Sequence, residues 1–129
     1  MKYTIKGKVV KGNGYGNKIG FPTINLDRRS FVRMKNKPAT FGVYAGFVIL
    51  NPLANSTKQK RYRAGIVIGP LDKKNLPKIE AHILNFNKNI YGEKVSLEIN
   101  KFLRKFKKFT NTQALINQIT KDLKNVNHK

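Results

Sequence analysis

The sequence predicts an antiparallel β-barrel closed by one C-terminal helix, and three observations predict it. From Tyr3 to Leu103 the apolar residues recur mostly at every second position, the period of strands with one face buried. Clusters of Gly, Pro, Asn and Lys interrupt these runs at short intervals, leaving no crossover of a dozen or more residues of the kind that parallel strands require. Only after residue 109 does the period lengthen to that of a helix. A short all-β chain would expose sheet edges, and closure into a barrel removes them. With 129 residues, 40% of them hydrophobic, the chain can close one core and not two, so residues 1–129 are expected to form a single domain with its core over about 3–126.

The elements follow in order. Tyr3, Ile5, Gly7 and Val9 alternate with Thr4, Lys6 and Lys8, giving a first strand. It runs into a loop with Gly12, Gly14, Gly16 and Gly20, where backbone angles and close approaches barred to other residues become available. Phe21 to Leu26 is short and extended, and Asp27 to Thr40 is a basic, polar connection. The aromatic and β-branched run Phe41 to Leu50, a turn at residues 51–57 and a second run from Arg61 to Gly69 form a hairpin. Lys78 to Phe86 sets Ile79, Ala81 and Ile83 against Glu80, His82, Leu84 and Phe86. Lys94 to Leu103 puts Val95, Leu97 and Ile99 on one face. These make about six strands. Leu115, Ile119 and Leu123, with Ile116 and Val126 beside them, then mark an amphipathic helix near 111–126, for which Thr110 and Gln113 have the spacing of a capping box.

Composition excludes several classes of function. There is no cysteine, hence no disulfide, thiolate zinc site or cysteine nucleophile, and the two histidines do not make a transition-metal site. No apolar run is long enough to span a membrane and the N-terminus has no signal-peptide block, so a cytoplasmic, soluble protein is expected. The formal net charge of +21, from 27 Lys and Arg against 6 Asp and Glu, attracts phosphates of any kind, whether of nucleotides, nucleic acids or lipids. Lys and Asn both have AT-rich codons, and the lysines are spread along strands instead of gathered in one arm, so the charge alone does not choose a partner. The scarcity of acids is more selective. A general base or carboxylate ligand must be Asp27, Asp72, Glu80, Glu93, Glu98 or Asp122.

Two groups of residues are candidates for chemistry. The glycine loop has neither Walker A nor dinucleotide-fingerprint spacing. Beside it, however, Lys18 can neutralise phosphate charge, and Thr23 and Asn25, two apart on an extended segment, share one face and offer a hydroxyl and an amide oxygen. Such hard oxygens suit Mg²⁺ carried in with phosphates, or else they satisfy backbone groups in a turn. Glu80 is a rare carboxylate placed mid-strand among hydrophobic residues, and its face also carries His82, read as a packed, hydrogen-bonded residue.

These pieces together resemble one family. Gly7 to Gly16, Gly20-Phe21-Pro22-Thr23-Ile24-Asn25-Leu26, Gly42-Val43-Tyr44-Ala45-Gly46, Ile79-Glu80-Ala81-His82-Ile83-Leu84, Ile90-Tyr91-Gly92 and Phe102-Leu103-Arg104 with Lys108-Phe109 form six ordered blocks that resemble riboflavin kinase. The resemblance implies a six-stranded antiparallel Greek-key barrel with a C-terminal helix. It implies transfer of the ATP γ-phosphate to the riboflavin 5′-hydroxyl, with Mg²⁺, or Mn²⁺ or Zn²⁺ in its place. Carried over by position, Gly12 and Lys18 belong to the nucleotide loop, Thr23 and Asn25 contact metal and phosphates, and Glu80 is the catalytic base. Ile83, Asn85 and Tyr91 line the nucleotide pocket, while Arg104, Lys107, Phe109 and Thr112 lie in the segment over the flavin. Tyr15, Ile24 and Phe106 depart from the family pattern, as does Gly69-Pro70-Leu71-Asp72, but the phosphate and base positions are retained. No adenylyltransferase segment precedes the first strand, so FAD synthesis is not expected from this chain. Small-molecule substrates and a monomer are expected, with no membrane partner and no specific nucleic acid. The rival readings are a nucleic-acid-binding module, suggested by charge and by Phe41 to Val48, and a weakly catalytic flavin-sensing or nucleic-acid-binding regulator. The single terminal helix does not fit an RNA-recognition fold, which interleaves two helices among its strands.

Overall fold

Alternation in the sequence builds the barrel wall directly. The computed structural model describes residues 2–12, 20–52, 59–86 and 88–127. Its strands are β1 (Tyr3–Val10), β2 (Ile24–Leu26), β3 (Gly42–Leu50), β4 (Lys60–Leu71), β5 (Pro77–Ile83) and β6 (Lys94–Lys105). They close in the order β1-β2-β5-β4-β3-β6, with every neighbouring pair antiparallel and β6 returning to pair with β1. Because β3, β4 and β5 follow one another and β6 then lies beside β3, the arrangement is a Greek key. The six-stranded expectation holds.

The inward residues are those that the period of two selects. Ile5 and Val9 of β1, Ile66 and Ile68 of β4, Ile79 and Ala81 of β5, and Val95, Leu97 and Ile99 of β6 are all fully buried in one core cluster. Each such aliphatic side chain larger than alanine contributes about 1.5–3 kcal/mol by leaving water. Where β3 bulges against β6 between Ala45 and Gly46, the strands come so close that a Cβ on Gly46 would lie 1.8 Å from the Glu98 carbonyl oxygen. Only glycine fits there.

Among the described residues two helices accompany the barrel. The connection after Asp27, basic and polar in sequence, contains a single turn of helix, α1 (Arg29–Val32). The Asp27 carboxylate accepts the Arg29 N–H at 3.0 Å and starts the turn, and Ser30 is buried against β1 at Gly7. Four residues are too few to show a helical period, so only tertiary packing reveals this element. The terminal helix α2 (Thr112–Asn127) lies within one residue of its expected bounds. Its cap is different from the expected capping box: Asn111, not Thr110, accepts the Ala114 N–H at 2.8 Å, and Gln113 bonds Asn117 along the helix. The helix lies across the outside of β3 and β4, with Leu123 and Val126 over Gly65, so the outer face of these strands is covered as well as the inner one.

Strand β5 also ends earlier than its sequence alternation. Asn85 takes a left-handed backbone conformation, φ 57°, which turns the chain out of the ladder after Ile83. Phe86 therefore leaves the Glu80 face and packs edge-on against Tyr62, with ring centroids 5.1 Å apart.

Candidate active site

A single row of side chains crosses the outside of the barrel. Register pairs Val10 with Asn25, Asn25 with Glu80, Glu80 with Val67, Val67 with Val43, and Val43 with Arg104. Residues directly opposite across antiparallel strands project to the same face, with Cβ atoms about 5 Å apart. Asn25 and Glu80 are thus neighbours, while Arg104 lies three strand spacings from Glu80, about 14 Å along the row. The apolar middle of the row, Val67 and Val43, is roofed by α2.

Between this row and the helix lies a cavity of about 500 Å³. Thr23, Glu80, His82 and Lys78 stand at one side of it, Arg104, Phe109 and Asp122 at another, and Leu115, Ile119 and Leu123 of α2 supply apolar walls. A smaller cavity of about 180 Å³ opens beside it, lined by Pro22, Thr23, Ile24, Ala81, Ile83, Phe86 and Lys88. Thr23 lines both.

His82, Asn25 and Glu80, near Thr23, are each held by a definable contact. The His82 Nδ1 lies 2.6 Å from the Pro22 carbonyl oxygen, and since a carbonyl can only accept, Nδ1 carries the hydrogen. That bond, with the Phe21 ring packed edge-on to the imidazole at 5.9 Å, ties the segment carrying Thr23 to β5. Asn25 is fixed from the other side: a Cβ on Gly12 would come within 2.2 Å of its amide nitrogen. The Glu80 side chain is 17% exposed, and its Oε1 lies 3.1 Å from the Lys78 Nζ, two residues earlier on the same face of β5.

At the far end, Arg104 and Asp122 form a nearly buried ion pair. The arginine Nε lies 3.0 and 3.1 Å from the two carboxylate oxygens, Nη2 lies 2.9 Å from Oδ2, and Gln118 Nε2 donates to Oδ1 at 3.0 Å. The guanidinium also lies over the Phe109 ring, 5.7 Å from its centroid.

Against this geometry stand the comparisons with known proteins. The flavokinase (riboflavin kinase) family model matches residues 1–129. The chain belongs to the riboflavin kinase family. It is 34% identical over 121 residues to a bifunctional riboflavin kinase/FMN adenylyltransferase of Buchnera aphidicola, covering 94% of this chain and 36% of that protein. It is 30% identical over 127 residues to the human riboflavin kinase, covering 95% of this chain and 77% of the human one. The crystal structure of riboflavin kinase from Trypanosoma brucei superposes with a TM-score of 0.68 at 25% identity, over 97% of this chain and 77% of that one. The chain thus spans about a third of the bacterial relative's length.

Within this riboflavin kinase fold the expected site residues fall into three groups. Thr23, Glu80, Arg104, Lys107, Phe109 and Thr112 line the larger cavity, and Ile83 lines the smaller one with Thr23. Asn25 and Gly12 pack on each other beside Glu80. Asn85 and Tyr91 are exposed and line neither cavity, and Lys18 lies outside the described residues. Among the described residues no cluster of three His, Cys, Asp or Glu side chains is positioned to cage a metal, and no helix is long and apolar enough to cross a membrane. Lys78 carries no signal in the sequence, and Asp122 stands out there only as one of six acids. A helical wheel could have found the second: Leu115, Ile119, Asp122 and Val126 step by four, three and four along α2, which sets an acid on the buried stripe.

Proposed function

We propose that this chain transfers the γ-phosphate of ATP to the 5′-hydroxyl of riboflavin, giving FMN and ADP. The observation that carries the proposal is the position of Glu80, a carboxylate that lines the larger cavity together with Thr23, which lines both cavities, and that pairs across the ladder with Asn25. Riboflavin occupies the larger, mostly apolar cavity, its ring under α2 and its ribityl chain running toward Glu80. ATP approaches from the smaller cavity and from the side of Gly12.

The neutral oxygens of Thr23 and Asn25 fit Mg²⁺ that arrives with ATP, since that ion keeps most of its waters and takes one or two protein oxygens plus phosphates. Bound there, Mg²⁺ offsets negative charge on the phosphates. The chain's own residues do the rest. His82 and Gly12 hold Thr23 and Asn25 in place, α2 keeps water from the flavin side, and Glu80 orients the 5′-hydroxyl and accepts its proton as oxygen bonds to the γ-phosphorus and ADP leaves. Lys78 keeps the Glu80 side chain in one place before the substrates arrive.

Incubating the purified protein with riboflavin and MgATP, then separating the flavins by chromatography, tests the proposal. A new FMN peak that depends on ATP supports it. Unchanged riboflavin, with protein shown to be folded by circular dichroism, refutes it.

A further inference from the structure

We propose that Asp122 is a positioning residue of the flavin pocket, which fixes the plane of the Arg104 guanidinium so that its unused N–H donors meet the dione edge of the flavin ring. The inference rests on the riboflavin kinase reading and adds to it a role for a carboxylate that does not touch the reacting atoms.

The geometry leads to it in three steps. Arg104 has five N–H donors. Nε and one hydrogen of Nη2 are taken by Asp122, and one hydrogen of Nη1 reaches the Lys105 carbonyl at 3.2 Å, which among the described residues leaves one on each terminal nitrogen. Next, with the 5′-hydroxyl at Glu80, the part of riboflavin that reaches Arg104, about 14 Å away along the row, is the end remote from that hydroxyl. That end is the tricyclic ring, and its only carbonyl oxygens lie on the dione edge. A fixed cation with two free donors suits those oxygens.

Third, the pair is poorly explained as a staple alone. Asp122 is only 6% exposed, and a buried ion pair gives little net stability once desolvation is counted. An apolar pair would join β6 to α2 as well. What a bidentate contact does provide is orientation, and here it is reinforced by Gln118 on the carboxylate and by Phe109 against the guanidinium.

The test compares Asp122→Asn, Asp122→Glu and the exchanged pair Arg104→Asp/Asp122→Arg with the parent. Steady-state FMN formation, thermal melting, and riboflavin binding followed by flavin fluorescence without ATP are measured for each. Positioning predicts that Asp122→Asn raises KM for riboflavin by about 10- to 100-fold, the scale of a misplaced binding group, with the change falling on that constant and not on KM for ATP. Asp122→Glu recovers part of the loss. The exchanged pair recovers melting temperature but not riboflavin affinity, because the cation has moved to the helix. If the exchanged pair restores both, Asp122 is a staple and the inference fails. It fails too if a folded Asp122→Asn protein keeps riboflavin KM and binding within about twofold of the parent. Should Asp122→Asn not fold, the other two variants decide. If the parent makes no FMN, the kinase reading falls, while weaker riboflavin fluorescence binding in Asp122→Asn than in the parent would still uphold the role of Asp122, and equal or absent binding would end it.

Discussion

Asn25 and Glu80 are direct partners across the ladder between β2 and β5, although 55 positions separate them (80 less 25). Their side chains emerge on the same outer face, so the amide proposed to meet the metal and phosphates stands beside the carboxylate proposed to take the proton. In the proposed reaction, that adjacency would set donor phosphate and acceptor hydroxyl against neighbouring strands of one wall and not against separate loops.

Glu80→Gln keeps the shape of the side chain and removes its basicity. We expect kcat to fall by roughly 10²- to 10⁴-fold while riboflavin and ATP binding change little. Melting temperature close to the parent's is the control for folding. Near-parental turnover in a folded variant would mean that proton transfer does not depend on this carboxylate.

Gly12→Ala and Thr23→Ala probe the nucleotide side. The added methyl would meet the Asn25 amide at 2.2 Å, so the amide must move. Overpacking of this kind costs about 1–3 kcal/mol, and felt at the site it would raise KM for MgATP by roughly 5- to 100-fold while KM for riboflavin changes less. Thr23→Ala removes a hydroxyl from the wall shared by both cavities. It is expected to shift the concentration of Mg²⁺ needed for half-maximal rate. Unchanged metal dependence and unchanged KM for MgATP in both variants would remove these residues from the nucleotide site.

Asp27 sets part of the acid response. Bonds from the Arg29 side chain and backbone N–H hold its carboxyl at about 2, below its ordinary value of 3.8. The folded state thus favours the ionised form, and the stability this gives is full above about pH 4 and is lost as pH falls toward 2. Because Arg29 is largely exposed, solvent screening keeps the effect small. Urea midpoints of parent and Asp27→Asn should therefore differ by a constant amount near neutral pH and converge between about pH 4 and pH 2. A gap that widens on acidification contradicts this assignment.

Nucleic-acid binding is expected to be weak and indifferent to sequence. Exposed lysines are spread over β1 (Lys6, Lys8), β6 (Lys94, Lys101) and the connections (Lys35, Lys73), and only Lys8 and Lys94 among these six are register partners. Attachment of this purely electrostatic kind fades steeply as ionic strength rises. Filter binding to unrelated RNA and DNA oligonucleotides should be lost by about 200 mM salt. A complex with one sequence that survives that salt would bring the regulator reading forward.

Much of the fold is legible in the residues themselves. The period of two in Tyr3–Val10 and Lys94–Leu103, the lack of crossover segments, and the stripe Leu115, Ile119, Leu123 required strands, antiparallel closure and one long helix, because burial of one face is a local pattern that composition writes at fixed spacing. The short list of acids likewise confined any carboxylate base to six positions, and the structure sets Glu80 on a cavity wall. Tertiary structure alone decided the rest. The single turn at Arg29–Val32, the Asn111 cap and the early end of β5 at Asn85 each depend on one contact or one backbone angle, which leaves no period to read. The meeting of Asp122 with Arg104, of Asn25 with Glu80, and of Thr23 with both cavities depends on strand register and on where α2 lies across β3 and β4. Those are set by packing between segments far apart in the chain, and local periodicity says which face a residue occupies but not which distant residue it will face there.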